Sequence, residues 1–307
     1  MDIGDVQEVT AGDCSDLYYV DTGMYETAEY GAVYVLDDDR PAVVDTGIGT
    51  NYERILDALE TVGIDREELE VIAVTHVHLD HAGGAGYLAD ACPNADVYVP
   101  SVGASHLVDP TRLVEGTKAA VGDQWEFYAE PKPVPEDRLV EIEGGDAIDL
   151  GTHELRVHEA PGHAPHQVVF SDPANDAVFT ADAAGIWVPS LERIRETSPP
   201  SQFDLDGCLA DLETIAEIDP DVLCYPHFGP REVGDDLESV LEEYERVLTR
   251  WVGEVEAARE ELADDDAVIE ALSRETDVDA VWGERKARAE TAMNVRGVLG
   301  YLDYRDR

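Results

Sequence analysis

Thr75-His76-Val77-His78-Leu79-Asp80-His81-Ala82-Gly83-Gly84 is the stretch on which the reading of this chain turns. It continues an apolar run at 71–75 that reads as a buried strand, and it leads into a segment at 84–91 that reads as a helix. Alternation along an extended chain puts His76 and His78 on one side. The turn that follows brings Asp80 and His81 to a neighbouring point. Three imidazoles and a carboxylate within six residues are a donor set suited to a zinc ion.

Three segments further along supply groups of the same kind. Ala160-Pro-Gly-His163-Ala-Pro lies between two predicted strands, Phe179-Thr-Ala-Asp182 puts a carboxylate past a strand end, and Cys224-Tyr-Pro-His227-Phe-Gly puts an imidazole past another. Upstream, Asp45-Thr46-Gly47 follows the apolar run at 41–44. His163, Asp182 and His227 each, taken alone, read more often as a cap or turn residue. Taken together, in this order at strand ends, they supply the remaining donors of a two-metal site.

On these motifs the chain resembles the metallo-β-lactamase superfamily, in its glyoxalase II-like hydrolase branch, over about residues 16–230. The resemblance implies an α/β (α+β layered) fold, an αββα sandwich with the site at one edge. It implies that His76, His78 and His163 bind one metal, that Asp80, His81 and His227 bind a second, and that Asp182 bridges them. Asp45 would accept a hydrogen bond from a ligand imidazole and so fix its tautomer; a plain turn role is the other reading. The cofactors implied are two divalent metal ions, zinc first, with iron or manganese as the other candidates. The activity implied is hydrolysis of a thioester, ester or lactone by a metal-bridged hydroxide, with Asp80 and Asp182 acting in catalysis. A mononuclear iron oxidoreductase of the persulfide dioxygenase kind and a phosphodiesterase are the rival readings. Departures from the relatives narrow the choice. His81 together with a bridging Asp182 disfavours β-lactam hydrolysis. The Tyr that homoserine-lactone lactonases place three residues past the bridging Asp is Gly185 here. No motif for glutathione is evident, and Lys286 is the only lysine beyond position 132.

The rest of the chain organises around these points. Strands are expected at 17–20, 32–36, 41–44, 96–99, 139–142, 147–150, 155–159, 168–171, 177–180 and 222–225. A helix over 51–62 would be N-capped by Thr50, and another, through 217, by Asp204 or Asp206. The segment 101–136, with Pro131-Lys-Pro-Val-Pro135, reads as helical insertion or lid. Residues 235–307 carry no strand pattern and read as three helices, over 236–263, 267–273 and 281–301. We therefore expect a catalytic domain over 1–234 and a helical region over 235–307, the latter packing beside the site as a substrate wall or dimer surface, or simply onto the sandwich. His106, His153 and His158 read as surface or strand residues, and His166 as a neighbour of the site or a structural His. Arg193, Arg195 and Arg231 could anchor a substrate anion or pair with surface acids.

The 307 residues include 69 Asp and Glu against 21 Lys and Arg, for a net charge of -48, and Lys118, Lys132 and Lys286 are the only lysines. An acidic surface so poor in lysine reads as halophilic. No run of about 18 apolar residues marks a membrane span, and the acidic N-terminus lacks a signal-peptide pattern, so a cytoplasmic location is expected. The expected partner is a small-molecule substrate, with neither nucleic acid nor membrane, and a homodimer is left open. Cys14, Cys92, Cys208 and Cys224 form no CxxC pair and read as small core residues of a reducing compartment. Salt tests the charge reading. Raising KCl from about 0.01 M to about 1 M shortens the Debye length from about 30 Å to about 3 Å, so the unfolding midpoint should rise across that range. A flat midpoint would remove the high-salt reading.

Overall fold

Ala32-Val-Tyr-Val-Leu36 shows how the layers arise from a period of two. Val33 and Val35 join helical residues in one apolar cluster, whereas Tyr34 and Leu36 join residues of a second sheet in another. All five residues are buried, as expected for a strand covered on both faces.

The computed structural model describes residues 1–197 and 202–305. The first sheet has seven strands in sequence order: β1 (Val6–Glu8), β2 (Leu17–Asp21), β3 (Ala32–Leu36), β4 (Ala42–Val44), β5 (Val71–Ala73), β6 (Asp96–Pro100) and β7 (Leu139–Ile142). It is antiparallel from β1 to β4 and parallel from β4 to β7. The second is built from β8 (Ala147–Asp149), β9 (Glu154–Glu159), β10 (Val168–Asp172) and β11 (Ala177–Phe179), with a ribbon of β12 (Ile186–Val188) and β13 (Arg193–Arg195) set apart from it, and then β14 (Val222–Tyr225) and β15 (Gly229–Glu232). Its order is β15-β14-β11-β10-β9-β8, antiparallel except where β11 and β14 run parallel. The helices are α1 (Glu53–Val62), α2 (Leu79–Ala82), α3 (Ala85–Ala91), α4 (Ala104–Val108), α5 (Thr111–Val121), α6 (Leu205–Ile218), α7 (Leu237–Leu262), α8 (Asp265–Arg274), α9 (Asp279–Trp282) and α10 (Glu284–Arg305).

Three apolar clusters record the layering. Ile55 and Leu59 of α1 and Leu88 of α3 pack on Val43, Ile72 and Val97 of the first sheet. Tyr34 and Val44 meet Phe170, Phe179 and Cys224 between the sheets. On the far side, Val169, Val178 and Leu223 pack against Leu212 and Ile215 of α6, Tyr244 and Leu248 of α7, and Val298 and Leu302 of α10. The result is the expected αββα arrangement with a C-terminal helical region. No helix of the described residues is long and apolar enough to cross a membrane.

Several local expectations are corrected. Thr50 does not cap α1: the helix starts at Glu53, and the Thr50 hydroxyl donates to Phe127 O at 2.5 Å. Asp204 precedes α6, but its side chain makes no cap bond. The C-terminal region holds four helices, α9 being a single turn. Strands β1, β12, β13 and β15 escaped the sequence reading because each is only three or four residues long, too short to show a period. His153 is no surface residue: it is buried, with Nδ1 2.9 Å from Asp172 Oδ2. All four cysteines are free thiols, three of them buried. Burial pushes the Cys14 and Cys92 thiols up to about 11 and raises those of Cys208 and Cys224 too, so all four are poor nucleophiles.

Leu248 is 1% exposed at the centre of the outer helical cluster. Leu248→Ala should cost about 2–5 kcal/mol in denaturant unfolding. A cost below about 0.5 kcal/mol, typical of surface positions, would mean that α7 is not part of the core.

Candidate metal centre

Parallel strand pairs bring the donor loops to one edge of the sandwich. β4 and β5 run parallel, so Asp45 and His76, each just past a strand end, emerge side by side. β11 and β14 also run parallel, which does the same for Asp182 and His227. His163 sits on the turn joining β9 to β10, His78 immediately precedes α2, and Asp80 and His81 lie on it.

Asp182 is at the centre. Its Oδ2 lies 3.1 Å from His163 Nε2 and 4.0 Å from His76 Nε2, and its Oδ1 lies 3.6 Å from His81 Nε2 and 3.7 Å from His227 Nε2. Asp80 Oδ2 is 3.9 Å from both His81 Nε2 and His227 Nε2. His78 Nδ1 is 3.1 Å from His163 Nε2. The donors fall into three groups, each with ligand atoms within 4.8 Å of one another: His76, His78 and His163; His76, His81 and Asp182; Asp80, His81 and His227.

Among the described residues, His76 Nε2, His81 Nε2 and Asp182 Oδ1 are buried without a hydrogen-bond partner. Buried polar atoms left unpartnered are costly and rare. Imidazole nitrogens and carboxylate oxygens aimed at shared points fit divalent cations, which would satisfy all of them at once.

The opposite edges of the imidazoles are held. His81 Nδ1 is 2.9 Å from Asp45 Oδ2, and Asp45 Oδ1 also accepts from the Thr75 amide at 2.9 Å. Thr75 Oγ1 lies 2.9 Å from Asp45 Oδ1 and 3.1 Å from His76 Nδ1. His227 Nδ1 is 2.9 Å from the Tyr30 carbonyl oxygen. A carboxylate and a carbonyl can only accept, so His81 and His227 each carry a proton on Nδ1 and turn Nε2 toward the centre as the atom left to bind a metal. Asp45 has φ 62° and Ala181, next to Asp182, has φ 46°, a region that side-chain-bearing residues seldom occupy.

Electrostatics divides the histidines. Burial and neighbouring imidazoles hold His76 and His78 well below the ordinary value, and burial lowers His163. Burial also works against a charged His81, but Asp182, Asp45 and Asp80 outweigh it and raise His81 well above 6.5. Burial opposes the Asp182 anion, yet His163 and His81 keep its carboxyl far below the usual range.

Gly162 shows how the fold sets His163. A Cβ there would lie 2.1 Å from Cys208 N, because α6 packs directly on the turn. The Gly162 amide donates to Asp211 Oδ2 on α6 at 2.8 Å. Burial outweighs the pull of that amide and holds the carboxyl up at about 7.

A cleft of about 580 Å³ opens from this centre. Tyr30, Leu79, Tyr128 and Ile186 line it close to the donors, α5 contributes Arg112, Leu113 and Ala119, and α10 contributes Glu290, Met293 and Arg296. The C-terminal helix is thus a wall of the cleft. A buried pair braces it: Lys286 Nζ donates to Glu290 Oε2 at 2.6 Å and stands over the Tyr25 and Tyr30 rings at 3.7 and 4.0 Å. Of the remaining histidines, His158 lies on β9 with Nε2 2.9 Å from Ser171 Oγ. His106 and His166 line the cleft, His106 on α4 rather than on a strand or an uninvolved surface. His166 stands edge-on to His78, and burial lowers it to about 4. The arginines singled out from the sequence do not reach the cleft. Arg193 and Arg195 pair with Asp277, while Arg231 stacks on Trp187 with its guanidinium carbon 4.0 Å from the ring centroid. Arg112, Tyr30, Glu290 and Arg296 were missed, since only tertiary packing brings them here.

A family model described as the metallo-beta-lactamase superfamily matches residues 27–227. The metallo-beta-lactamase fold-containing protein ST1585 of Sulfurisphaera tokodaii is 27% identical over 250 residues, 79% of this chain and 90% of the relative. The crystal structure of ST1585, described there as from Sulfolobus tokodaii, aligns with a TM-score of 0.70 at 24% identity, covering 93% of this chain and 99% of the other. An N-acyl homoserine lactonase of Bacillus thuringiensis is 26% identical over 207 residues, 65% of this chain and 70% of the relative. A hydroxyacylglutathione hydrolase of Albidiferax ferrireducens is 27% identical over 199 residues, 64% of this chain and 61% of the relative.

Metal uptake should carry a pH signature. With its pKa raised, His81 is protonated at neutral pH in the metal-free protein, and a ligating imidazole must be neutral. Zinc added in weak buffer should therefore release protons, and its apparent affinity should keep climbing as the pH rises from 6.5 upward. Uptake without proton release, at constant affinity across that range, would show His81 to be neutral beforehand.

Proposed function

The chain belongs to the metallo-β-lactamase superfamily, and from that premise we propose that it is a dinuclear metal hydrolase of the glyoxalase II-like kind, cleaving a thioester, ester or lactone of a small acyl compound. The observation that carries the reading is the set of three donor groups meeting around Asp182 at the inner end of an open cleft. His76, His78 and His163 would hold one ion and Asp80, His81 and His227 the other, with Asp182 available to both. Imidazole and carboxylate donors put zinc first, ahead of iron and manganese. When bound, the ions supply a water made acidic enough to attack at neutral pH and a Lewis acid for the scissile oxygen.

The side chains do the positioning. Asp45 and the Tyr30 carbonyl hold the His81 and His227 rings in one tautomer and orientation. Asp182 is buried and anionic, and so keeps compensating charge at the centre. The Asp80 side chain is 28% exposed and lines the cleft, where its carboxylate can orient the attacking water and take up its proton. Leu79, Ile186 and Tyr128 exclude bulk water on one side. The four raised thiols leave no cysteine fit to act as nucleophile.

The cleft volume suits a small molecule, and 1–234 acts as the catalytic unit, with 235–307 completing its cleft. The position that carries a Tyr in homoserine-lactone lactonases is closed to any side chain here. Gly185 has φ 86°, and a Cβ would lie 2.6 Å from both Arg195 O and the Tyr244 ring. This favours open-chain thioesters and esters over acyl homoserine lactones. Low lysine content and net charge of -48 support work in a salt-rich cytoplasm.

Fully loaded protein should contain two ions per chain and hydrolyse members of a thioester, ester and lactone panel. Asp182→Ala should bind fewer ions and lose at least about a hundredfold in rate, with circular dichroism confirming its fold. One iron per chain with oxygen consumption would replace the hydrolase with an oxidoreductase. An unchanged Asp182→Ala would remove the bridging role.

A further inference from the structure

The cleft carries two exposed arginines in a molecule dominated by acids. The chain has 69 acidic and 21 basic residues, and most of its arginines are paired, as in Arg40–Glu70, Arg138–Asp96, Arg259–Asp265 and Arg305–Glu256. Arg112 and Arg296 both line the cleft. Among the described residues, neither has a carboxylate within 4.0 Å. Arg296 Nη1 donates to the Ala120 carbonyl at 3.5 Å. Asp109, in the turn before Arg112, has its carboxylate engaged by the Thr111 amide and hydroxyl at 3.2 and 2.6 Å.

The two cations stand at opposite ends of α5. Arg112 is in its first turn, and Arg296 meets it at Ala120, eight residues on, about 12 Å along the axis. Leu113, Ala119 and Met293 line the same cleft. The cleft thus joins two exposed arginines, apolar side chains and the donor cluster. In a surface this acidic, two guanidiniums without carboxylate partners would otherwise be drawn into ion pairs. Exposed at the cleft and free of a salt bridge among the described residues, although Asp109 lies near enough to feel the charge of Arg112, they are sites for an incoming anion.

Resting on the hydrolase reading above, we propose that the substrate is an anion: a thioester or ester with a carboxylate or phosphate remote from its scissile carbonyl, held by Arg112 and Arg296. Substrate selection then comes from charge at the far end, while the cleft sets the spacing between that charge and the bond cleaved.

The test uses zinc-loaded full chain at one fixed KCl concentration. A ladder of p-nitrophenyl monoesters of dicarboxylic acids is compared with the same esters methyl-capped at the free acid. The readout is the ratio of kcat/KM for each anionic ester to that for its neutral partner. The ratio should reach about tenfold at one preferred chain length, through KM, and fall toward unity in the R112Q/R296Q double variant. The single variants assign the anion to one end of α5 or the other. Calorimetric binding of the free diacids and of matched alkyl phosphates gives a readout independent of turnover. Affinity should drop about tenfold in the double variant, and the stronger of the two ligands names the anion. No charge preference at any length, or a preference and an affinity unchanged in R112Q/R296Q, would overturn the proposal. A wild type that hydrolyses no ester yet binds the anions in an arginine-dependent way would sustain the arginine site and sink the hydrolase.

Discussion

One carboxylate sets the terms for the rest of this structure. Asp182 lies within 3.1–4.0 Å of the Nε2 atoms of four imidazoles, and protein groups alone cannot satisfy that crowd. Four rings cannot all be protonated around one anion, nor can all be neutral without leaving bare lone pairs buried together. Divalent cations would resolve the conflict, and the outer edges of two of the rings are held by protein groups that cannot. Asp45 and Tyr30 occupy the outer edges of His81 and His227, so the inner edges stay free. The parallel pairings of β4 with β5 and β11 with β14 are what allow loops far apart in sequence to meet at this point.

Much of this was legible in the sequence because the donors sit in short, unusual contexts. Three histidines and an aspartate packed into residues 76–81 after an apolar run have few explanations other than metal binding. The long or alternating strands and the long amphipathic helix Leu237–Leu262 were visible from periodicity for the same reason. What escaped was set by distance rather than pattern. The ribbon of β12 and β13 is two strands of three residues with a mixed apolar and arginine pattern, too short to show a period. Thr50 looked like a cap, but its hydroxyl found Phe127 O, 77 residues away in sequence. His153 looked peripheral because nothing nearby announces Asp172 as its partner. Arginines 193, 195 and 231 followed ligand segments in sequence, yet all three turn to carboxylates or to Trp187 outside the cleft.

The comparison with relatives gains meaning at Gly185. A sequence difference there could be a silent replacement compensated nearby. The geometry excludes that, because the backbone is left-handed and the Cβ direction is filled by Arg195 O and the Tyr244 ring. Tyr244 belongs to the C-terminal helical region, so the layer that covers the second sheet also shapes the site from behind. Packing on one face of the sandwich and chemistry at its edge are therefore not separable in this chain.

The wall formed by α10 bears on how the protein comes into being. His227 is the last of the clustered donors, and Glu290, Met293 and Arg296 follow it by roughly sixty residues. At ribosomal speeds of about 5–20 residues per second, the nascent chain holds a complete donor set for several seconds before the cleft gains that side. The donor cluster is thus complete in the chain well before its cleft is, and the space beside it takes its final shape only when the last long helix docks.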